Sequence, residues 1–536
     1  MPAADPAPRP DPSATAVVCT GLDALLAALA EATGTGHWNL LEPPDAAPDP
    51  ERIARALGPA RAAWARTLRD DWPPAVTGLH RIELAPGRAW LSIVHGAVDR
   101  RRAALLRALQ APRPASPDRR ALVVGAGLAG CACADALVRR GWSVTVLEAA
   151  TSAGGAVRDV PWLALHPALS PGPDRRSRLL LRALLVVLRL QARFGDALQR
   201  CGRFEPMPYA EAVRRAAGLP ASVAQPVLHA EPARHGVAGP SGLWLPGGAV
   251  LDPHAWWRRV ADRPGVTSRF GCRVARLQGA GAGADWQALD HDGRIVGTAP
   301  VVVLANQADA FALAGLAAAA HGPLRIGSAR VRIGIARPEA ATGQQAPERN
   351  HAATGSLAAR PVIGGDRFRL ERPGALCVVG PGGDDRDRDR RADRDSDPDE
   401  DRDAGRGTDP RAAEPPDPPP GYGDWRWSAP GLRLLLRDNL PMIGAVPDEA
   451  AIAAERDRHA RNDRLPLPRR PGLHLLCGLG GRGALWAPLG AELIAAAVSG
   501  EPPLVEPELA EAVDPARFLR RALRRTDATS AERTGS

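Results

Sequence analysis

Gly125, Gly127 and Gly130 fall in a G-x-G-x-x-G spacing inside "ALVVGAGLAGCACADALVRRGWSVTVLEAA", residues 121–150. That spacing suits the holding of a pyrophosphate. The first glycine permits a tight turn, the second lets the backbone approach the phosphates, and the third lets a helix pack on a strand. Glu148 stands about twenty positions further on, where a carboxylate accepts hydrogen bonds from a ribose. No nearby arginine is placed to prefer a 2′-phosphate. The loop Gly125, Ala126, Gly127, Leu128, Ala129 and Gly130, with Glu148, is therefore the expected dinucleotide contact set. The glycines alone fit FAD and NAD equally.

The elements that must position these residues are legible around them. Ala121–Val124 is a short apolar run suited to a buried strand. Cys131, Ala134 and Val138 fall on one face of the following helix, which Gly141 ends. Ser143–Leu147 is a second strand, closed by Glu148. A second glycine group lies in "GLHLLCGLGGRGALWAPLGAELIAAAV", residues 472–498. There a strand runs into Gly478, Gly480, Gly481 and Gly483, with Arg482 among them. A helix is expected to begin near Ala487–Pro488, with proline in its first turn. Such a helix N-terminus suits an electron-rich flavin edge. Between the two groups, "APVVVLANQADAF" (299–311) reads as a buried strand ending in a small polar turn. Strand, glycines, helix, strand and acid in order, with a second glycine turn far along the chain, point to FAD.

Composition sets bounds. With 536 residues and 45% hydrophobic content, the chain has room for two or three domains and a large core. No apolar stretch approaches the roughly 20 residues of a membrane span. The Pro-rich start lacks the features of a signal peptide. The seven cysteines form neither a C-x-x-C pair nor a zinc pattern, so no metal is expected and a reducing cytoplasm fits. The net charge is +9. Every basic residue is arginine, which fits a coding bias or guanidinium contacts to phosphate.

Six boundaries follow from composition shifts. Residues 1–14 read as a disordered leader, 15–110 as a small α/β unit ("TAVVC", "HWNLLE", "HRIEL", "AWLSIV"), and 111–119 as a linker. Residues 120–381 and 422–525 carry the cofactor motifs. Residues 382–421, "GGDDRDRDRRADRDSDPDEDRDAGRGTDPRAAEPPDPPPG", have almost nothing apolar to bury and read as a disordered insertion. Residues 526–536 read as a tail.

The two-ended glycine arrangement resembles the FAD-dependent amino-acid oxidase superfamily of the glycine and sarcosine oxidase type. That resemblance implies an α/β fold, with a Rossmann-type FAD domain interleaved with a mixed-sheet substrate domain. "HPALSPGPDRRSRLLLRALLVVL" (166–188), "LPMIGAVPDE" (440–449), "GGRGALWAPLGAELIA" (480–495) and "AVDPARFLRRALRR" (512–525) narrow it. Together they resemble the oxidoreductase half of bacterial bifunctional enzymes of tRNA wobble-uridine modification. The resemblance implies removal of the carboxymethyl group of 5-carboxymethylaminomethyl-(2-thio)uridine, giving 5-aminomethyluridine and glyoxylate, with the tRNA anticodon loop as partner. It places His166 and Arg482 on the substrate face as catalytic candidates. Gly478, Gly480, Gly481, Arg482 and Gly483 are implied on the flavin side, and Arg437 and Asn439 as substrate contacts.

The chain departs from that family's pattern at "AVRD" (156–159), at Gly172 and Pro173, at "SAR" (328–330) and at Gly481. Residues 15–100 resemble a truncated piece of the partner methyltransferase half, with Glu42 as its ribose acid. Its turn Thr20–Gly21–Leu22–Asp23 offers one glycine where several are needed, so S-adenosylmethionine is not expected to bind. Two other readings stay open: a small-molecule glycine or sarcosine-type oxidase, and a non-catalytic flavoprotein that binds tRNA or a partner.

Overall fold

A computed structural model describes residues 118–316 and 431–524, short stretches at 159, 171–173, 218, 220, 222, 231–240, 280–284, 463–464 and 502–503 excepted. Of the rest it describes strands, as backbone. The turn 21–23, Glu42, residues 111–117, Gly172, Pro173, Arg330, the tract 382–421 and the two chain ends lie outside the described residues.

The cofactor motifs sit on a six-stranded sheet. Its strands are β1 (Arg120–Val124), β2 (Ser143–Leu147), β3 (Val266–Arg269), β4 (Val301–Leu304), β5 (Met442–Pro447) and β6 (Arg469–Cys477), in spatial order β3-β2-β1-β4-β6-β5. All neighbours are parallel except β5 and β6. Parallel strands need both faces covered, which explains the near-continuous apolar runs of β1 and β4. The chain leaves β1 toward β2 on one side and meets β4 on the other. The carboxyl ends of β1 and β4 therefore flank the switch point where such sheets take their ligands.

The first helix, α1 (Leu128–Val138), differs from expectation. Every residue from Ala129 to Leu137 is buried, so it has no single apolar face. The reason is a second cover. The helix lies between the sheet and α3 (Gly483–Val498), which also packs on α2 (Arg175–Arg189). Its Ala, Gly and Cys residues are small enough for close approach on both sides. Beyond its end, Arg140 holds Glu501 at 2.7 Å and Glu492 of α3 at 3.0 Å, and Arg139 pairs with Glu492 as well.

The helix α3 also differs. It begins at Gly483, four residues before the expected start, and Pro488 lies inside it. Burial of Ala484, Leu485, Trp486 and Ala487 offsets the hydrogen bond that Pro488 does not donate.

A second sheet of eight strands forms the other lobe. Its order is Gln225–Val227, Gly242–Leu245, Arg203–Pro206, Val362–Ile363, Arg367–Arg372, Leu376–Pro381, Arg332–Ala336 and Tyr422–Trp427. The strands on either side of the charged tract, Leu376–Pro381 and Tyr422–Trp427, both pair with Arg332–Ala336. The chain thus leaves and re-enters the same sheet around residues 382–421. In the N-terminal part, Val17–Thr20, Gly36–Leu41 and Ala89–Val94 are parallel neighbours, and Leu79–Ala85 closes that sheet antiparallel. Among the described residues no helix is long and apolar enough to cross a membrane.

Candidate cofactor and substrate site

At the carboxyl end of β1 the chain turns on Gly125, whose φ of +103° suits glycine. A Cβ there would meet the Ala305 carbonyl oxygen at 2.9 Å and the Asn306 Cα at 3.2 Å. The loops after β1 and β4 are thus in direct contact. Ala126 is buried and donates its N–H to Glu148 Oε2 at 2.6 Å. Ala150 N–H donates to Glu148 Oε1 at 2.9 Å. Glu148 therefore ties the glycine loop to the end of β2, a role its position in the sequence did not reveal. Each of its oxygens keeps a further lone pair for a ribose hydroxyl.

Gly127 opens α1, and a Cβ on it would meet nothing within 4 Å. Open space beside this glycine is what a pyrophosphate requires. No acid stands in the first turn of α1 to compete with phosphate for its N–H groups. Gly155 comes back over the loop, its Cβ direction 3.5 Å from the Gly127 Cα.

The second glycine group reaches the same place. Gly478 and Gly480 have φ of +71° and +54°, and Gly480–Arg482 forms a single tight turn before α3. A Cβ on Gly483 would stand 3.2 Å from Leu128 Cδ1, at the very start of α1. Two motifs more than 300 residues apart in the chain therefore meet at the N-termini of α1 and α3. Gly481 is the exposed member of the turn.

Two residues not singled out in the sequence complete this region. Asn306 Oδ1 and Gln307 Oε1 are buried without a hydrogen-bond partner, directly after β4. Gln307 also holds a φ of 59°, which is rare outside glycine. Unpaired buried acceptors beside a phosphate cradle fit a dinucleotide that supplies donors. The residues present thus fit FAD, with the loop 125–130 and Glu148 at its ADP end and the turn 478–483 at the other.

The surroundings of His166 gather charge. His166 follows the strand Leu163–Leu165, and its Nδ1 lies 3.4 Å from the Pro167 carbonyl oxygen and 3.8 Å from Glu205 Oε1. Arg203 Nε donates to that same Glu205 oxygen at 2.9 Å. Burial first, then the cationic Arg203 and Arg482, hold the imidazole well below its usual range. His166 and Arg482, far apart in sequence, are thus electrostatic neighbours. Arg203 and Glu205 were missed because a charged pair on a short strand reads as an exposed edge, and only the fold shows both buried.

Arg437 and Asn439 sit on the segment leading into β5. Arg437 is exposed, and Asn439 holds a φ of 54° with its N–H on the Leu436 carbonyl. Between them Asp438 accepts two hydrogen bonds from Arg517, at 2.8 and 2.9 Å. Among the described residues no group of three His, Cys, Asp or Glu is arranged to hold a metal ion.

Comparison with known proteins shows the family of the chain. The family model "FAD dependent oxidoreductase" matches residues 120–497. The chain is 35% identical over 444 residues to the tRNA 5-methylaminomethyl-2-thiouridine biosynthesis bifunctional protein MnmC of Ralstonia nicotianae, a match covering 77% of this chain and 62% of that protein. The protein of the same description from Paraburkholderia phytofirmans is 34% identical over 435 residues, with the same coverages of 77% and 62%. The chain thus spans less than two thirds of the length of these relatives. Among solved structures, iminodiacetate oxidase from Chelativorans sp. BNC1 aligns with a TM-score of 0.47 and 19% identity, covering 72% of this chain and 97% of that one. Glycine oxidase from Geobacillus kaustophilus aligns at 0.45 and 17%, covering 72% and 95%.

Proposed function

The chain belongs to the FAD dependent oxidoreductase family, and from that premise we propose that it oxidises the carboxymethylaminomethyl arm of the tRNA wobble uridine. The proposed products are 5-aminomethyluridine and glyoxylate. The observation that carries this reading is the position of Arg482. It belongs both to the second glycine turn and to the charge set around His166. In this reading the same guanidinium lies at the cofactor's end and reads the substrate carboxylate. The likeness to proteins described as acting in tRNA 5-methylaminomethyl-2-thiouridine biosynthesis selects the substrate class.

The proposed substrate is a secondary amine bearing a CH₂–COO⁻ group. When bound, FAD supplies a hydride acceptor for that CH₂. Arg482 pairs with the carboxylate and so fixes the arm, a charge-assisted contact that orients the reacting carbon. The cations Arg203 and Arg482 disfavour an ammonium and favour the neutral amine whose lone pair drives hydride loss. His166, held uncharged by burial and those cations, accepts the amine N–H. Water then hydrolyses the imine product to glyoxylate and the free aminomethyl group.

In this reading Arg437, exposed beside β5, and Asn439 contact the RNA, the anticodon loop enters on that side, and the protein works in the cytoplasm. S-adenosylmethionine has no part. Anaerobic mixing of the purified protein with hypomodified tRNA tests the reading, with flavin absorbance followed over time. Bleaching with release of glyoxylate is expected. Faster bleaching by free glycine or sarcosine than by tRNA would replace this function with a small-molecule oxidase.

A further inference from the structure

Arg203 and Glu205 present a problem that folding alone does not solve. They stand two apart on the strand Arg203–Pro206, so both side chains leave the same face. Phe204 leaves the other face and packs with Val227 and Ala230. Arg203 is 7% exposed and Glu205 8% exposed. A buried ion pair adds little stability over apolar residues of similar volume, because both charges lose their hydration. What the pair faces is His166.

Around His166 Nδ1 stand the Pro167 carbonyl oxygen and Glu205 Oε1. Both are acceptors and neither donates. The Pro167 carbonyl, in hydrogen-bond reach at 3.4 Å, accepts from a protonated Nδ1. The Glu205 carboxylate at 3.8 Å favours the proton there by its charge, and Nε2 then keeps its lone pair. Glu205 is itself held by Arg203 Nε, on the same oxygen that faces the ring. Among the described residues Nε2 has no hydrogen-bond partner. Among the described residues, the charged groups that act on the ring are Glu205 and Arg203 from one strand, with Arg482 of the glycine turn acting through its charge.

We propose that Glu205, braced by Arg203, is a positioning residue that fixes His166 as its Nδ1–H tautomer, so that Nε2 is the acceptor offered to the substrate amine. This rests on the amine-oxidase reading above. The substrate leaves its extra proton in solvent and enters as the neutral amine, and the Nε2 lone pair accepts the amine N–H, the ring staying uncharged. Glu205 keeps its charge throughout. Its part is to hold the ring and to oppose one of the two nearby cations.

Nitrogen NMR of histidine-labelled, FAD-loaded protein reads the tautomer directly, with the His166 signals assigned by their loss in His166→Gln. The wild type is expected to show a protonated Nδ1 and an unprotonated Nε2 near neutral pH. Glu205→Gln should move His166 toward a mixed or Nε2–H state while FAD stays bound, and Glu205→Asp should restore part of the Nδ1–H signal. With saturating hypomodified tRNA, flavin reduction in Glu205→Gln should slow by about ten- to a hundredfold with KM little changed. A wild-type His166 carrying its proton on Nε2 would overturn the proposal without need of any variant. So would a tautomer indifferent to Glu205→Gln. Because the NMR needs no substrate, a Glu205-dependent Nδ1–H tautomer in a protein that tRNA does not reduce would uphold the positioning and reject the substrate.

Discussion

A Cβ on Gly130 would lie 1.8 Å from the carbonyl oxygen of Gly125. The third glycine of the motif is therefore a contact between the start of α1 and the end of β1, and it serves the fold before it serves any ligand. Gly130→Ala must push helix from strand, and the obstacle is backbone that cannot rotate away. The expected cost is about 3 kcal/mol or more. Chemical denaturation of the FAD-free protein measures it, and unchanged stability would mean that α1 sits farther from β1.

Gly127 behaves in the opposite way. Its φ of −83° suits any residue, and a Cβ meets nothing within 4 Å. Gly127→Leu should therefore fold with the stability of the apoprotein and yet purify colourless, its side chain standing where the pyrophosphate must lie. A yellow Gly127→Leu protein would remove the phosphates from this loop.

The ion pair of Asp438 with Arg517 joins two stretches that looked like separate motifs. Arg517 is 5% exposed and also donates to the Leu440 carbonyl at 2.9 Å. Burial raises the Asp438 pKa, but the hydrogen bond and charge of Arg517, with Arg521, more than offset it and hold the carboxyl below its usual range. Asp438→Asn leaves a buried guanidinium without its counter-charge and should destabilise by about 3 kcal/mol. Arg437→Ala, at the exposed neighbour, should leave the melting temperature unchanged. Equal losses from the two would show that the segment acts as a whole.

Acid should weaken the protein well above the carboxylate range. Burial, with Arg469 nearby, lowers His474 from 6.5 to about 4. Its folded pKa lies below the unfolded one, so no stability is lost above pH 6.5. As pH falls from 6.5 to 4 the unfolded chain takes up a proton that the fold refuses, at a cost of about 3 kcal/mol. Glu492 follows lower down. Burial raises it, but Arg140 and Arg139 bring it to about 2, so its contribution is lost between pH 4.5 and 2. Melting temperature against pH should fall less steeply between 6.5 and 4 in His474→Leu. A variant curve parallel to the wild type would assign the acid sensitivity elsewhere.

If tRNA is the substrate, its binding should weaken steeply with salt as phosphate contacts release counterions. Filter binding at two ionic strengths measures the slope, and a flat response would speak for a small amine. Calorimetry with S-adenosylmethionine should give no heat of binding. Micromolar affinity would show that the 15–110 segment holds a working donor site.

The sequence by itself determined the strands β1 and β2, the existence of α1, the two glycine turns and the place of Glu148 at the end of β2, because these depend on neighbours within a few positions. A positive φ at Gly125, a strand of Val and Leu, and an acid at a strand's end are local necessities. What lay beyond it was every relation between distant segments. The double burial of α1 comes from α3, and the start of α3 at Gly483 comes from the buried residues before Pro488. Asp438 has its meaning through Arg517, and Asn306 through Gly125. The charges around His166 come from a strand in one sheet and a turn beside another. Periodicity and turn chemistry act over a few residues. Burial and charge pairing depend on what folding brings alongside, and only the tertiary structure decided which arginines face a solvent, a carboxylate or the histidine.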